Sequence, residues 1–196
     1  LAEWLAGRGH EVRVISAPAY FPEWRATNNR YHREKRRGVV IWRCPLWVPK
    51  RPNGLARLLH LASFAISSFP LLIAQRIWKP DLEITIAPAF FCAPAALLFR
   101  KICGKDTRSW LHIQDFELDA AFELGMLNGR LIRRLAESWE SKILQGFQTV
   151  STISGAMQQR TIAKGVKPER AYFLPNWVDL EAIQVEGEHL REKNPY

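Results

Sequence analysis

Short apolar runs rich in Val, Ile and Leu recur along the chain, and segments of helix length separate them. Such runs are typical of strands buried on both faces, and the segments between them predict helices that connect parallel strands. The predicted strands are Glu11–Ser16, Val39–Arg43, Leu82–Ile86, Arg108–Ile113, Gln148–Ile153 and Ala171–Leu174. The predicted helices are Leu1–Arg8, Leu55–Trp78, Pro88–Cys103, Leu127–Gln145 and Ser154–Ala163. The pattern therefore predicts an α/β fold with a parallel sheet.

The first and last segments of the sequence each have the pattern of only part of a larger structural unit. The first residues, LAEWLAGRGHEV, are typical of the last turns of an amphipathic helix that enters a strand, so we expect the domain to begin upstream of Leu1. After Asp179 the sequence becomes polar and charged. We therefore expect one domain over residues 1–175 and the start of a linker over residues 176–196.

The composition is that of a globular protein. With 196 residues, of which 47% are hydrophobic, the chain can bury a full core. Its cysteines are Cys44, Cys92 and Cys103, and their odd number and wide spacing favour a reducing compartment over a disulfide framework. The sequence shows no signal peptide, and we expect a cytoplasmic location.

The positive charge is concentrated in the first half of the chain. Residues 1–80 contain 14 Lys and Arg against 4 Asp and Glu, whereas residues 81–196 contain 14 against 15. A basic half joined to a nearly neutral half predicts an anionic partner on one face. Nucleic acid, a phosphate-bearing substrate and an acidic membrane surface all have this property.

The segment Leu58–Ala74 has 17 residues and no formal charge if His60 is neutral. A buried crossover helix, kinked at Pro70, is the first interpretation. A helix in the membrane interface is the second, because basic residues that anionic headgroups would attract flank the segment. These residues are Arg51, Arg57, Arg76 and Lys79. A transmembrane span is the third interpretation, since the length falls at the lower limit for a bilayer.

The sequence WLHIQDFE places polar residues where a strand ends. In a parallel α/β sheet, ligands bind beyond the carboxyl ends of the strands. His112, Gln114, Asp115 and Glu117 fall at or just past such an end. A histidine with nearby carboxylates is a candidate for acid–base chemistry or for binding a substrate hydroxyl. Alternatively, His112 is a core histidine with a satisfied hydrogen bond, and Asp115 caps a helix.

The loop APAYFPEW follows the first predicted strand and combines two prolines with three aromatic residues. Rigid aromatic loops of this kind stack on sugar rings or pack against apolar chains. Tyr20 and Trp24 are binding candidates, whereas we expect Phe21 to fold onto the core.

The run NNRYHREKRRG is strongly basic around Glu34. One interpretation is a solvated, mobile surface loop. The other is an electrostatic site for phosphate or lipid headgroups. The cations of this site would be Arg30, Arg33, Lys35, Arg36 and Arg37. Nucleic acid fits less well, because no recognised binding module accompanies the charge.

Two further segments lie near the end of the chain. VSTISGAM runs from a strand into a helix, so backbone N–H groups near Ser154 and Gly155 could face an anion, or Ser154 could simply cap the helix. LPNWVDLEAI is a turn with Asn176 in the bend and Asp179 as the cap of the next helix.

Taken together, the segments resemble a known family. HEVRVISAPAYFPEW, GVVIWRCPLWVPKRPNGLARLLHLASF, WLHIQDFELDAAFELGML, VSTISGAM and LPNWVD occur in this order in bacterial glycosyltransferases of family 4, of the colanic-acid and exopolysaccharide type. The resemblance implies a GT-B fold, in which two Rossmann-like domains face each other across a cleft. The chain would be the N-terminal, acceptor-side domain, with helices on both faces of its parallel sheet.

The resemblance also implies an activity. Such enzymes transfer a sugar from a nucleotide-sugar to an acceptor with retention of configuration, and they need neither a metal nor another cofactor. His112 and Asp115 would be the catalytic residues, and His112, Ser154 and Asn176 would bind the donor. Asn176 lies at the crossing into the nucleotide-binding domain.

The acceptor side would be formed by residues of the loop APAYFPEW and by the glutamate at the end of WLHIQDFE. The residues concerned are Tyr20, Pro22, Trp24 and Glu117. We expect the acceptor to be a saccharide, lipid-linked in this type, and the enzyme to lie peripherally on the inner face of the plasma membrane. The alternatives are a nucleotide-sugar epimerase of the same architecture and a non-catalytic module that binds membrane or phosphate.

The chain departs from the family pattern at both ends. The first strand and its glycine-rich loop would precede Leu1, and the domain with the glutamate pair that holds the nucleotide-sugar would follow Tyr196. We therefore expect residues 1–196 alone to be inactive.

Overall fold

The structure is a computed structural model of the chain. It describes residues 1–20, 25–26, 28–50, 54–87, 90–104, 106–116, 118–119, 122 and 129–176. Several candidate residues discussed above lie outside this part of the chain, among them Phe21, Pro22, Trp24, Arg51, Glu117 and Asp179.

Helices and strands alternate along most of the chain. The helices are α1 (Ala2–Gly7), α2 (Gly54–Ala74), α3 (Ala93–Cys103), α4 (Arg130–Gly146) and α5 (Gly155–Ala163). The strands are β1 (Arg13–Ser16), β2 (His32–Arg36), β3 (Val39–Arg43), β4 (Leu82–Ala87), β5 (Arg108–Ile113), β6 (Thr149–Thr152) and β7 (Ala171–Phe173). The six predicted strands are confirmed with ends that differ by two residues at most.

The strands form two sheets, with the orders β1-β3-β2 and β4-β5-β6-β7. All neighbours in the second sheet are parallel, and β1 pairs in parallel with β3. The predicted α/β class, a parallel sheet flanked by helices, is therefore confirmed.

β2 is a strand that the sequence pattern did not predict. It pairs antiparallel with β3, from His32 opposite Arg43 to Arg36 opposite Val39. The turn between them has positive φ angles at Arg37 (44°) and Gly38 (83°), as a two-residue hairpin turn of type I′ requires. The interpretation of this run as a loop was thus wrong for residues 32–36, because backbone pairing holds a segment that buries no apolar face.

The main core lies on one face of the four-stranded sheet. Leu111 and Ile113 of β5 and Val150 of β6 project to this face and are almost fully buried. Side chains of α3, α4 and α5 pack against them. These helix residues are Ala93, Ala96, Leu97, Ile143, Leu144, Met157 and Ile162. Because side chains alternate along a strand, Trp110, His112 and Ser151 project to the opposite face.

α2 is a crossover helix with one buried side, and it continues through Pro70. It contacts α3 and β1 and buries His60 and Ser68. The other side exposes apolar residues, among them Ile66, which is 74% exposed. The segment Ala56–Ile77 is long and apolar enough to cross a membrane, with a mean hydropathy of 1.6, and 17% of its most apolar stretch is buried. The interpretation as a buried crossover helix is confirmed for one face and wrong for the other.

Four charged side chains tie the segment after β5 to two helices. Lys164, at the end of α5, bonds to Glu140 of α4 and to Asp119, 3.0 Å from its Oδ2. Arg160 of α5 lies 2.9 Å from the same oxygen of Asp119. Glu140 is 2% exposed, and its burial raises the pKa of its carboxyl. We call Lys164, Glu140, Asp119 and Arg160 the Lys164 cluster.

The Lys164 cluster gives a prediction for stability. Lys164→Met removes a cation on which two buried carboxylates depend, so we expect the free energy of unfolding to fall by about 3 kcal/mol. The matched control is Arg133→Met, which breaks the half-exposed Arg133–Glu137 pair and should change the same quantity by less than about 1 kcal/mol. Denaturant unfolding of both variants measures the difference. Equal losses would show that the cluster contributes no more than a surface ion pair.

Candidate functional site

A cavity of about 270 Å³ opens on the face of the four-stranded sheet that carries His112. Its lining residues are Leu1, Ile84, Ile86, Trp110, His112, Gln114, Leu174 and Asn176. Most of the wall is apolar, and the polar groups come from His112, Gln114 and Asn176. We call this space the His112 cavity.

The carboxyl ends of β5, β6 and β7 place the polar groups together. The ladder extends one residue past β5 and one past β7, through bonds from Gln114 N to Ala87 O (3.3 Å) and from Leu174 N to Thr152 O (2.9 Å). Gln114 and Asn176 thereby reach the same edge, where Gln114 Nε2 lies 3.4 Å from Asn176 Oδ1. The location agrees with the rule that α/β sheets bind ligands at this edge.

His112 is held by a neighbouring strand. Ser151 of β6 is its register partner, and Ser151 Oγ lies 2.8 Å from His112 Nδ1. The indole N–H of Trp110, on the same face of β5, donates to the same oxygen over 2.7 Å. Trp110 and His112 of β5 therefore share one hydrogen-bonded network with Ser151 of β6.

The network assigns the tautomer of His112. Ser151 is 1% exposed, so its hydroxyl proton needs a protein acceptor. The indole of Trp110 can only donate, which leaves His112 Nδ1 as the acceptor among the described contacts. His112 then carries its proton on Nε2, and the imidazole can offer that N–H to a ligand oxygen.

Burial keeps His112 neutral. Its side chain lies in the cavity wall with 8% exposure, and desolvation lowers the pKa of the imidazole below its ordinary value. A lowered pKa in the folded state means that the protein loses stability as the pH falls below the ordinary pKa of histidine, because the unfolded chain then binds the extra proton. At neutral pH the group is a hydrogen-bond donor without charge.

Of the residues singled out in the sequence, His112, Gln114 and Asn176 line the His112 cavity, whereas Asp115 and Ser154 do not. Asp115 is exposed. The hydroxyl of Ser154 accepts a bond from Met157 N over 3.2 Å, so Ser154 is the N-cap of α5. Roles of Asp115 and Ser154 in catalysis or donor binding stay predictions.

The aromatic loop is described only in part. The ring of Tyr20 meets that of His60 edge-on, with centroids 4.8 Å apart, and its residue is half-buried. Tyr20 therefore lies beside the amino-terminal half of α2. The other predicted acceptor residues, Pro22, Trp24 and Glu117, fall outside the described residues.

The five basic residues predicted to bind anions differ in their surroundings. Arg36 and Arg37 both pair with Glu3, at 3.1 and 2.9 Å. The guanidinium of Arg33 lies 5.3 Å from the ring centroid of Trp42. Arg30 and Lys35 are exposed, and no ion pair of theirs occurs among the described residues. The run is thus partly neutralised within the fold.

Sequence patterns did not predict Ser151, Trp110 or the apolar wall as parts of the site. Ser151 is 39 positions from His112, and the register of β5 and β6 brings the two together. No group of three His, Cys, Asp or Glu side chains that could hold a metal ion occurs within the described part of the chain. The prediction that no cofactor is required stays a prediction.

Comparisons with known proteins agree on the kind of domain. Residues 1–177 match the family model described as "Glycosyl transferase 4-like domain". The chain is also 48% identical over 191 residues to a protein of Escherichia coli (strain K12) that is named as a colanic acid biosynthesis glycosyl transferase, WcaI. The alignment covers 94% of this chain and 46% of that protein. The chain thus spans about half the length of the curated relative it matches.

The tautomer assignment is testable by titration. In Ser151→Ala the hydroxyl no longer donates to Nδ1, which removes a bond that favours the neutral imidazole. We therefore expect the pKa of His112 to rise, as measured by NMR titration of its ring. Ser154→Ala is the matched control, because it removes a helix cap and should destabilise the protein by about 1 kcal/mol while the His112 titration stays in place. An unshifted titration in Ser151→Ala would contradict the assignment.

Proposed function

The chain belongs to the glycosyl transferase 4-like domain family, and from this membership we propose that it forms the acceptor-side domain of a sugar transferase in exopolysaccharide biosynthesis. The similarity to the E. coli protein named for colanic acid biosynthesis supports the pathway class. The donor would be a nucleotide-sugar and the acceptor a saccharide. Residues 1–196 would be inactive alone, because the donor half of the cleft would come from a further domain.

The observation that carries the proposal is a neutral histidine in a mostly apolar cavity, and no hydrogen bond of its Nε2 occurs among the described residues. Ile84, Ile86 and Trp110 form the apolar wall beside His112, which is itself 8% exposed. A hydrogen bond from Nε2 to an oxygen of the donor is stronger in such a low-dielectric site than in water. The amides of Gln114 and Asn176 lie at the same edge and add donors and acceptors that suit sugar hydroxyls.

The proposed reaction needs no oxidant or metal. An acceptor hydroxyl forms a bond to the anomeric carbon, the bond from that carbon to the diphosphate oxygen breaks, and the hydroxyl proton is released with the nucleoside diphosphate. His112 would bind the donor sugar or its phosphates through Nε2–H, and it would not act as a base, because that nitrogen already holds a proton. Retention of configuration and transfer of a hexosyl group belong to this proposal.

We further propose that the enzyme acts at the inner face of the plasma membrane on a lipid-linked acceptor. The support is the basic first half of the chain and the exposed apolar side of α2, where Leu59, Ile66 and Phe69 follow one another at helical spacing. A helix with such a face can lie in the membrane interface.

Substitution of His112 tests the transferase proposal. In the full gene product, assayed against a panel of nucleotide-sugars, His112→Ala should lower kcat/KM by roughly 100-fold or more. His112→Gln keeps an N–H near the place of Nε2 and should retain more activity than His112→Ala. The matched control is His10→Ala, an exposed residue that should change neither turnover nor Tm. An unchanged kcat/KM with a lowered Tm in His112→Ala would show that the residue serves the core only.

Vesicle flotation tests the membrane proposal. The full gene product should float with vesicles that contain anionic lipid and much less with neutral vesicles, because the basic half attracts anionic headgroups. Ile66→Gln/Phe69→Gln should reduce flotation by about tenfold, since two exposed apolar side chains lose their lipid contact. Equal flotation with anionic and neutral vesicles would count against the electrostatic part of the proposal, and unchanged flotation of the variant against the role of α2.

A further inference from the structure

The amino-terminal half of α4 exposes a set of large apolar side chains. Leu131 is 71% exposed, Ile132 51% and Leu135 63%. With about 100° of rotation per residue, the three side chains fall within an arc of roughly 100° on the helix surface. Residues of this kind on a helix are normally packed against a core, and here the buried residues of α4 are confined to its second half, at Glu140, Ile143 and Leu144.

Arginines border this apolar arc. Arg130 and Arg134 lie one turn apart beside it, and no ion pair of either occurs in the part of the chain that the structure describes. Arg133 is bound to Glu137, 3.0 Å away, and lies 5.5 Å from the ring centroid of Phe122. An apolar arc with a cationic border is the pattern of a helix that lies in the interface of an anionic membrane. We call Leu131, Ile132, Leu135, Arg130 and Arg134 the α4 patch.

The topology places the start of α4 at the same edge of the sheet as the polar residues of the candidate site. α4 lies between β5 and β6, which run parallel, so the helix runs against the strands and begins at their carboxyl edge. His112, Gln114 and Asn176 lie at that same edge. The start of α4 therefore lies at the same edge of the sheet as these residues, while the helix itself packs on the face opposite the cavity.

We propose that the α4 patch docks on the surface of an anionic membrane, with Leu131 and Leu135 among the acyl chains and Arg130 and Arg134 at the headgroup phosphates. The proposal deepens the proposed function and rests on it for the lipid-linked acceptor, but the docking itself is measured without sugar transfer. Charge complementarity favours the membrane over a protein partner, because Arg130 and Arg134, which have no ion pair among the described residues, border the apolar arc on the helix.

The test uses the full gene product and vesicles of phosphatidylcholine with or without phosphatidylglycerol. Leu131→Gln/Leu135→Gln and Arg130→Gln/Arg134→Gln should each weaken binding to the anionic vesicles by about tenfold or more. The matched controls are Leu82→Gln and Lys101→Gln/Lys167→Gln, which replace exposed residues away from α2 and from the start of α4. These controls should bind within about twofold of the unsubstituted protein, and Tm values confirm that each variant is folded.

A fluorescent label reports on the patch itself, even if α2 provides most of the affinity. In a background with Cys92 and Cys103 replaced by Ser, an environment-sensitive dye on Leu135→Cys should shift to the blue with anionic vesicles, and the same dye on Leu82→Cys should not. An unshifted dye at residue 135 would overturn the proposal. So would a cysteine at 135 that resists alkylation without vesicles, or a dimer that Leu131→Gln/Leu135→Gln dissociates, because another surface would then cover the patch.

Transfer to a soluble acceptor separates this proposal from the proposed function. Leu131→Gln/Leu135→Gln should leave that transfer unchanged while it weakens vesicle binding. If the unsubstituted protein transfers no sugar but the dye shifts, the proposed function fails and the docking surface stands. If transfer occurs and the dye does not shift, the docking surface fails and the proposed function stands.

Discussion

The two-residue period of β5 determines which of its side chains enter the core and which face the cavity. Leu111 and Ile113 are buried beneath the helices, so His112 between them must project to the opposite face. Parallel pairing with β6 then places Ser151 beside His112. A shift of one residue would put the imidazole in the core and Leu111 in the cavity. The hydrophobic constraint that stabilises the sheet therefore also positions the candidate site.

The segment that leaves this strand is held on the core side by charge. A buried carboxylate costs free energy unless a cation pairs with it. Asp119 and Glu140 must therefore lie where Lys164 can reach both of them. Gln114 is fixed separately, through its backbone bond to Ala87. The segment that follows β5 is thus held at Gln114 by the backbone ladder and at Asp119 by the Lys164 cluster. Both attachments limit the movement of this segment relative to His112.

Burial explains which parts of this structure the sequence could predict. The parallel strands are near-continuous apolar runs in the sequence, so their positions could be predicted within two residues. β2 could not, because its residues are mostly exposed and its turn at Arg37 and Gly38 lacks the common Asn-Gly pair. His112 and Asn176 could be predicted as site residues from strand ends, whereas Ser151 and the wall of Ile84 and Ile86 depend on strand register, which local patterns do not contain.

The apolar surface of the cavity and that of α4 differ in the charge of the residues around them, and this difference suggests different roles. Ile84 and Ile86 line a concave space whose polar neighbours are uncharged, which suits a neutral part of a ligand such as a sugar ring. The exposed residues of α4 lie on a convex helix beside Arg130 and Arg134, for which no ion pair occurs among the described residues, and this suits a flat anionic surface. Because α4 begins at the carboxyl edge of the strands, an acceptor anchored beside it would meet the edge at which Gln114 and Asn176 lie. The same edge of the sheet would then serve both the proposed docking on the membrane and the proposed binding of the acceptor.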